Sequence, residues 1–130
     1  MGDQLKVSSM DHVNMKVKSL DGTIKFYGDL FGFQVRKDEN PNKTGSPSKI
    51  IGNDTVKLCL YEHPTMTPEG GIAHFGLHIE NFDDVMDRCR ELGVEVLYDG
   101  LIEFEGSRSV YIKDPSGYEV ELTEKQGGGL

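Results

Sequence analysis

Two histidines, a glutamate and a cysteine are the residues of this chain whose types and spacing could do chemistry together. His12 and His74 stand 62 positions apart, and Cys59 and Glu121 are separated by the same 62. Two imidazoles and a carboxylate form a donor set for Zn²⁺, or for Fe²⁺ in a facial triad with open positions. Cys59 has two readings, a fourth ligand or a small half-buried residue.

The shared offset is a property of the chain, since the sequence repeats itself once. His12-Val13-Asn14-Met15-Lys16-Val17 is answered by His74-Phe75-Gly76-Leu77-His78-Ile79, and Val56-Lys57-Leu58-Cys59-Leu60-Tyr61-Glu62 by Tyr118-Glu119-Val120-Glu121-Leu122-Thr123-Glu124. Between them, Asp29-Leu30-Phe31-Gly32-Phe33-Gln34-Val35 resembles Glu91-Leu92-Gly93-Val94-Glu95-Val96, with one extra residue in the first copy.

Each copy reads as a strand, a helix and three strands, so the predicted class is α+β with two βαβββ modules, at 10–62 and 72–124, in a single domain spanning 1–130. The first copy predicts a strand over 12–18 and a helix over about 22–31, with Asp21 as its cap and Gly32 as its stop. Strands near 33–37, 48–52 and 55–62 follow, the first two split by a Pro/Gly/Asn loop. The second copy predicts a strand over 73–80 and a helix over about 83–92 with Val85, Met86, Cys89 and Leu92 on its apolar face. Gly93 closes that helix, and strands near 94–98, 107–113 and 117–123 follow, the last two joined by a turn at Asp114-Pro115-Ser116-Gly117. The tail at 125–130 is expected to fray.

Strand alternation sorts the candidates onto one face. Val13, Met15, Val17, Leu58, Leu60, Phe75, Leu77, Ile79, Val110, Ile112, Val120 and Leu122 share the parity that must lie under the helices. His12, Cys59, Tyr61, His74, Ser109, Tyr111 and Glu121 share the other. His78 lies about 13 Å from His74 by strand rise, too far to join the same ion, and reads as rim or substrate-facing. His63, before a proline in the linker, reads as solvated, and Cys89 as core. Arg108 has the parity of Val110, so it points to the helix side as an edge ion pair, although Gly106-Ser107-Arg108-Ser109 would also offer donors to an anion.

Composition narrows the partners. The 130 residues carry 14 Lys and Arg against 22 Asp and Glu, a formal charge of −8. Nucleic acid and anionic membrane both demand a basic stripe and are not expected as partners. No apolar run approaches the roughly 18–20 residues of a membrane span. The N-terminal residues lack an apolar signal region, and two cysteines cannot staple a small secreted scaffold, so a cytoplasmic protein is expected.

The paired modules, a histidine near the start of each, the segment Asp114-Pro115-Ser116-Gly117-Tyr118-Glu119-Val120-Glu121-Leu122, and the helix segment Gly22-Thr23-Ile24-Lys25-Phe26-Tyr27-Gly28-Asp29-Leu30-Phe31-Gly32-Phe33 resemble the vicinal oxygen chelate superfamily. That superfamily includes glyoxalase I, methylmalonyl-CoA epimerase, fosfomycin-modifying enzymes, extradiol dioxygenases and metal-free bleomycin-binding proteins, so fold alone does not assign function. The resemblance implies a glyoxalase-like curved mixed sheet forming a cup, and metal ligation by His12, His74 and Glu121. Glyoxalase I and the epimerase carry Glu or Gln where this chain has Cys59. The extradiol motif expects a histidine where Ile102, Glu103 and Phe104 stand.

The resemblance therefore implies a metal-dependent lyase or isomerase in which substrate oxygens chelate a divalent ion (Zn, Ni, Mn or Fe) and an enolate or alkoxide is stabilised. Glu121 would accept the proton, with Tyr61 and Tyr111 as donors. Alternatives are a fosfomycin-type epoxide-opening enzyme and a metal-free binder of an antibiotic or metabolite. The partner is a small-molecule substrate. The fold also implies a homodimer whose sites combine modules of different subunits, with His12 from one chain and His74 and Glu121 from the other.

Overall fold

The computed structural model describes residues 4, 6, 10, 12–37, 47–68, 74–104 and 106–125. The expected tail beyond 125, much of the loop at 38–49 and the end of the linker at 62–71 lie outside the described residues.

Among the described residues, eight strands and two α-helices follow in the order β1 Val13–Val17, α1 Leu20–Phe31, β2 Gln34–Lys37, β3 Ser48–Gly52, β4 Lys57–Glu62, β5 His74–His78, α2 Val85–Leu92, β6 Ile102–Phe104, β7 Ser107–Lys113 and β8 Glu119–Thr123. A 3₁₀ turn at Phe82–Asp84 leads into α2. The strands form two mixed four-stranded sheets, ordered β1-β4-β3-β2 and β5-β8-β7-β6. These are the two βαβββ modules predicted above.

The sequence repeat is a repeat of register. In the first sheet β1 runs parallel to β4 with Val13 opposite Leu58, Asn14 opposite Cys59 and Met15 opposite Leu60. In the second, β5 runs parallel to β8 with Phe75 opposite Val120, Gly76 opposite Glu121 and Leu77 opposite Leu122. Advancing each partner by 62 converts the first set into the second. A one-residue slip would turn the apolar parity out to solvent, so burial holds both ladders in the same alignment.

Apolar alternation becomes core as expected. Met15, Val17, Ile51, Leu58 and Leu60 are buried with Tyr27 of α1, and Val110, Ile112, Val120 and Leu122 with Cys89 of α2. Phe26, Phe31 and Phe75 touch both clusters, joining the two cores. Removing a large side chain at the centre of either, as in Leu58→Ala, costs about 2–5 kcal/mol from lost transfer and the cavity left behind.

The helix ends show where local chemistry differs from the expectation. Ser19, not Asp21, caps α1: its hydroxyl accepts from the Gly22 amide at 3.0 Å, and Asp21 sits inside the first turn. Ser19 has the extended backbone an N-cap requires. The Leu20 amide, another free donor of that turn, bonds Glu62 Oε2 at 2.9 Å. Gly32 and Gly93 end the two helices in left-handed conformation, with φ of 73° and 67°. Met86, expected on the buried face of α2, is 41% exposed.

The largest departure is the strand expected at 94–98. The pairing there is short: Val96 bridges Ile112, flanked by the Lys113 amide donating to the Glu95 carbonyl at 3.1 Å and the Leu97 amide to the Tyr111 carbonyl at 2.8 Å, and β6 at Ile102–Phe104 continues along β7. Backbone φ at Tyr98 and Asp99 is 55° and 63°, and an extended strand cannot pass through two left-handed residues. The chain leaves β7 after Leu97, turns, and rejoins it with Ile102 opposite Ser109.

The turn at Asp114-Pro115-Ser116-Gly117 does more than join β7 to β8. Asp114 Oδ1 accepts from the Ser116 and Tyr118 amides at 2.9 Å each, and Oδ2 accepts from the Tyr27 hydroxyl at 3.0 Å. Ser116 Oγ accepts from the Lys18 amide, and the Tyr118 hydroxyl donates to the Lys16 carbonyl, both at 2.9 Å. One turn of the second module thus grips α1 and the end of β1 in the first.

Among the described residues, no helix is long and apolar enough to cross a membrane.

Candidate functional site

The open face of the second sheet carries the most chemistry. His74 begins β5 and Glu121 lies in the middle of β8, its strand neighbour. His74 Nε2 lies 3.0 Å from Glu121 Oε1, with side-chain exposures of 35% and 18%. The other carboxylate oxygen, Oε2, accepts from the Ser109 hydroxyl at 2.8 Å. Ser109 is buried on β7, so the carboxylate is held from one side by a fixed donor and meets the imidazole on the other.

Tyr111 is directly opposite Glu121 in the β7–β8 ladder. Its ring meets His74 edge to face, with centroids 5.2 Å apart. Burial pushes the Tyr111 hydroxyl above the ordinary tyrosine range, and its hydrogen bond with Glu121 adds to the shift. It therefore stays protonated at neutral pH and can donate.

Sequence reasoning missed Tyr98 and Glu119. The Tyr98 ring packs edge to face on Tyr111 at 5.4 Å, and its hydroxyl bonds Glu119. That bond is the main reason the Tyr98 hydroxyl is shifted upward. Parity marks Glu119 as sharing a face with Glu121. An extended 94–98 strand would have put Tyr98 on the side of Val96; the left-handed turn carries it to the other.

His12 and Cys59 occupy the matching places on the first sheet. Cys59 lies on β4 opposite Asn14 and Ile50, as Glu121 lies opposite Gly76 and Tyr111. His12 immediately precedes β1 and is exposed. Tyr61 lies opposite Lys16 and Ser48, two positions beyond Cys59 on the same face. The structure thus brings His74, Glu121 and Tyr111 together and leaves His12, Cys59 and Tyr61 on the other module. Among the described residues, no three of His, Cys, Asp and Glu cluster as a metal ion would need.

The remaining candidates separate from this site. His78 is exposed, opposite Thr123. His63 is half-buried, and its amide donates to the Val17 carbonyl at 2.7 Å. Arg108 faces the helix side, as parity required: its Nη2 reaches Asp83 at 2.7 Å and Glu124 at 2.6 Å, and its guanidinium lies 5.0 Å from the Phe82 ring centre. A cavity of about 340 Å³ opens there and does not reach His74 or Glu121.

A protein-family model described as "Glyoxalase/Bleomycin resistance protein/Dioxygenase superfamily" matches residues 9–122. A lactoylglutathione lyase of Arabidopsis thaliana is 28% identical over 122 residues, covering 88% of this chain and 43% of the relative, so the chain spans less than half of that protein's length. A lactoylglutathione lyase of Salmonella typhimurium is 26% identical over 126 residues, covering 91% of this chain and 93% of the relative. Among solved structures, the fosfomycin resistance protein FosX of Listeria monocytogenes superposes with a TM-score of 0.77 at 22% identity, over 96% of this chain and 98% of its own. FosX has also been solved with Mn(II) and a sulfate ion.

Proposed function

Since the chain belongs to the glyoxalase/bleomycin resistance protein/dioxygenase superfamily, we propose that it is a metal-dependent lyase or isomerase whose ion is held by His12, His74 and Glu121, with Cys59 as fourth ligand. The observation that carries this reading is the His74–Glu121 contact at 3.0 Å. An imidazole nitrogen and a carboxylate oxygen converge there, and the second carboxylate oxygen is tied to Ser109. That outer bond is the arrangement that orients a metal-ligating carboxylate. The donor types suit Zn, Ni, Mn or Fe.

Two donors do not hold an ion alone. The repeat supplies the rest: His12 and Cys59 stand where His74 and Glu121 stand, 62 residues earlier. A two-fold dimer that sets the first module of one subunit against the second module of its partner would close two equivalent sites. A bound divalent ion would supply Lewis-acid stabilisation of negative charge on a substrate oxygen. Within this chain, Glu121 is the group placed to accept a proton and Tyr111, kept protonated, the group placed to donate one. Tyr61 offers a second hydroxyl from the other module. The substrate is a small molecule with adjacent oxygens able to chelate.

The test is elemental analysis of tag-free protein purified without chelator, beside His74→Ala. One metal per chain, lost in the variant, supports the site, and screening with hemithioacetals and epoxides would then separate the isomerase from an epoxide-opening reaction. Protein that takes up no Zn²⁺, Ni²⁺, Mn²⁺ or anaerobic Fe²⁺ overturns it in favour of a metal-free binding protein.

A further inference from the structure

We infer that Tyr98 is a positioning residue of the His74–Glu121 site, holding the Tyr111 ring against His74 from a turn built to present it. The observations are independent of the ligand set. The Leu97 carbonyl accepts from the Gly100 amide at 3.1 Å, with Tyr98 and Asp99 at the two central positions, both at positive φ. Positive φ at both centres is the signature of a type I′ turn, whose central residues are normally Gly, Asn or Asp. Asp99 fits that rule. Tyr98 breaks it, because a bulky side chain in left-handed backbone is an outlier that persists only where its surroundings hold it.

What holds it is the open face of the second sheet. The turn is rooted beside Tyr111, since the Leu97 amide donates to the Tyr111 carbonyl at 2.8 Å. From there the Tyr98 hydroxyl bonds Glu119, and its ring abuts Tyr111 at an interplanar angle of 85°. Tyr111 in turn abuts His74 at 83°. Glu119 and His74 are themselves opposite one another in the β5–β8 ladder. The contacts therefore close a ring from His74 through Tyr111, Tyr98 and Glu119 back to the strand position facing His74. Tyr98 is 57% exposed, so little core packing explains a tyrosine there. Its contacts are with the site.

The turn provides its own control. Tyr98→Asn suits a type I′ turn better than tyrosine, so a merely structural tyrosine would be replaced at no loss of stability and no change at His74. If Tyr98 positions the site, Tyr98→Asn keeps or raises the melting temperature but moves the His74 imidazole C–H signals in the ¹H–¹³C spectrum of metal-free protein. With four histidines in the chain, His74 is assigned by the signal lost in His74→Ala. Tyr98→Phe, which keeps the ring and loses the Glu119 bond, restores most of the wild-type His74 position. Ni²⁺ affinity, measured with the metal alone, falls on the order of tenfold in Tyr98→Asn and recovers in Tyr98→Phe.

The nickel measurement rests on the metal reading above, whereas the imidazole measurement does not. Wild-type protein that binds no Ni²⁺ counts against the metal site and leaves Tyr98 to be judged by the spectra. His74 signals that stay in place in Tyr98→Asn overturn the inference. So does a melting temperature that falls with the change in the spectra, because the role would then be general packing.

Discussion

His74 and Glu121 meet diagonally across a parallel strand pair: His74 is opposite Glu119 and Glu121 is opposite Gly76, yet Nε2 and Oε1 are 3.0 Å apart. Gly76 offers no side chain to stand between them, so the longer carboxylate can lean along the strand to the imidazole. In the first module the matching position is Asn14, opposite Cys59. The two halves of the repeat therefore share a backbone and differ in their chemistry, one ending in a carboxylate–imidazole pair and the other in a thiol beside an amide.

Ser109 is the support for that pair. Its buried hydroxyl donates to Glu121 Oε2 at 2.8 Å, leaving Oε1 turned to His74. Ser109→Ala removes the donor and frees the carboxylate to rotate. Outer hydrogen-bond partners of metal ligands are typically worth about 10–100-fold in affinity, and a loss in that range is expected here. Titration with Mn²⁺ or Ni²⁺ checks it, alongside a melting curve to show that the fold survives.

The two thiols are expected to differ in reactivity. Cys89 is 1% exposed on the buried face of α2, and burial raises its thiol above the ordinary range, so little thiolate is present at neutral pH. Cys59 is half-buried on the open face of the first sheet. Chelator-treated native protein should alkylate with iodoacetamide at Cys59 well before Cys89, and the proposed ligation predicts that added Zn²⁺ slows the reaction at Cys59. Peptide mapping of the labelled protein reads both sites. Labelling of Cys59 at the same rate with and without bound metal would remove the thiol from the ligand set.

The fold was legible in the sequence because repetition and alternation are both global signals. The 62-residue offset appears twice, and each apolar strand must keep its parity to be buried, so the paired modules, the face each strand residue takes and the orientation of Arg108 follow from counting, whereas which strands pair does not. Helix boundaries were less legible: Ser19 and Asp21 are both cap residues by type, and only the backbone tells which one is extended. Tyr98 was illegible for a different reason. It lies between apolar strand residues and an Asp99-Gly100 pair, and whether the turn begins before or after it decides which face it serves. Its contacts with Tyr111 and Glu119 are long-range, and no local spacing carries them.

Asp114 gives the fold a pH dependence whose sign can be worked out. Burial raises its carboxyl above the usual range, more than the hydrogen bonds from Tyr118, Tyr27 and Ser116 lower it. A carboxyl that holds its proton more tightly in the folded state favours folding most below its unfolded value of about 3.9, and that contribution is lost as pH rises through the folded value. Asp114→Asn can still accept the two amide bonds and has nothing to ionise. Relative to wild type, its stability should therefore gain as pH rises from about 3.5 through the folded value. Tyr27→Phe removes one donor from the buried carboxylate and should cost about 1–3 kcal/mol. Urea unfolding across that pH range tests both, and a wild-type-minus-Asn difference that does not change with pH would refute the assignment.

A shared site between subunits makes a prediction that a site within one chain does not. His12→Ala and His74→Ala should each abolish metal binding when pure. If the first module of one subunit faces the second module of its partner, a mixed dimer of the two variants contains one site with both histidines lost and one with both intact. After unfolding and refolding an equal mixture, half of the dimers are mixed. About a quarter of all sites should then bind metal again, by the two-fold symmetry of the assembly. Elemental analysis of the refolded mixture, with sedimentation to establish that it is dimeric, reads this directly. Recovery near that fraction places His12 and His74 in one site from different chains, and no recovery in a dimeric mixture shows that each site is built within a single chain.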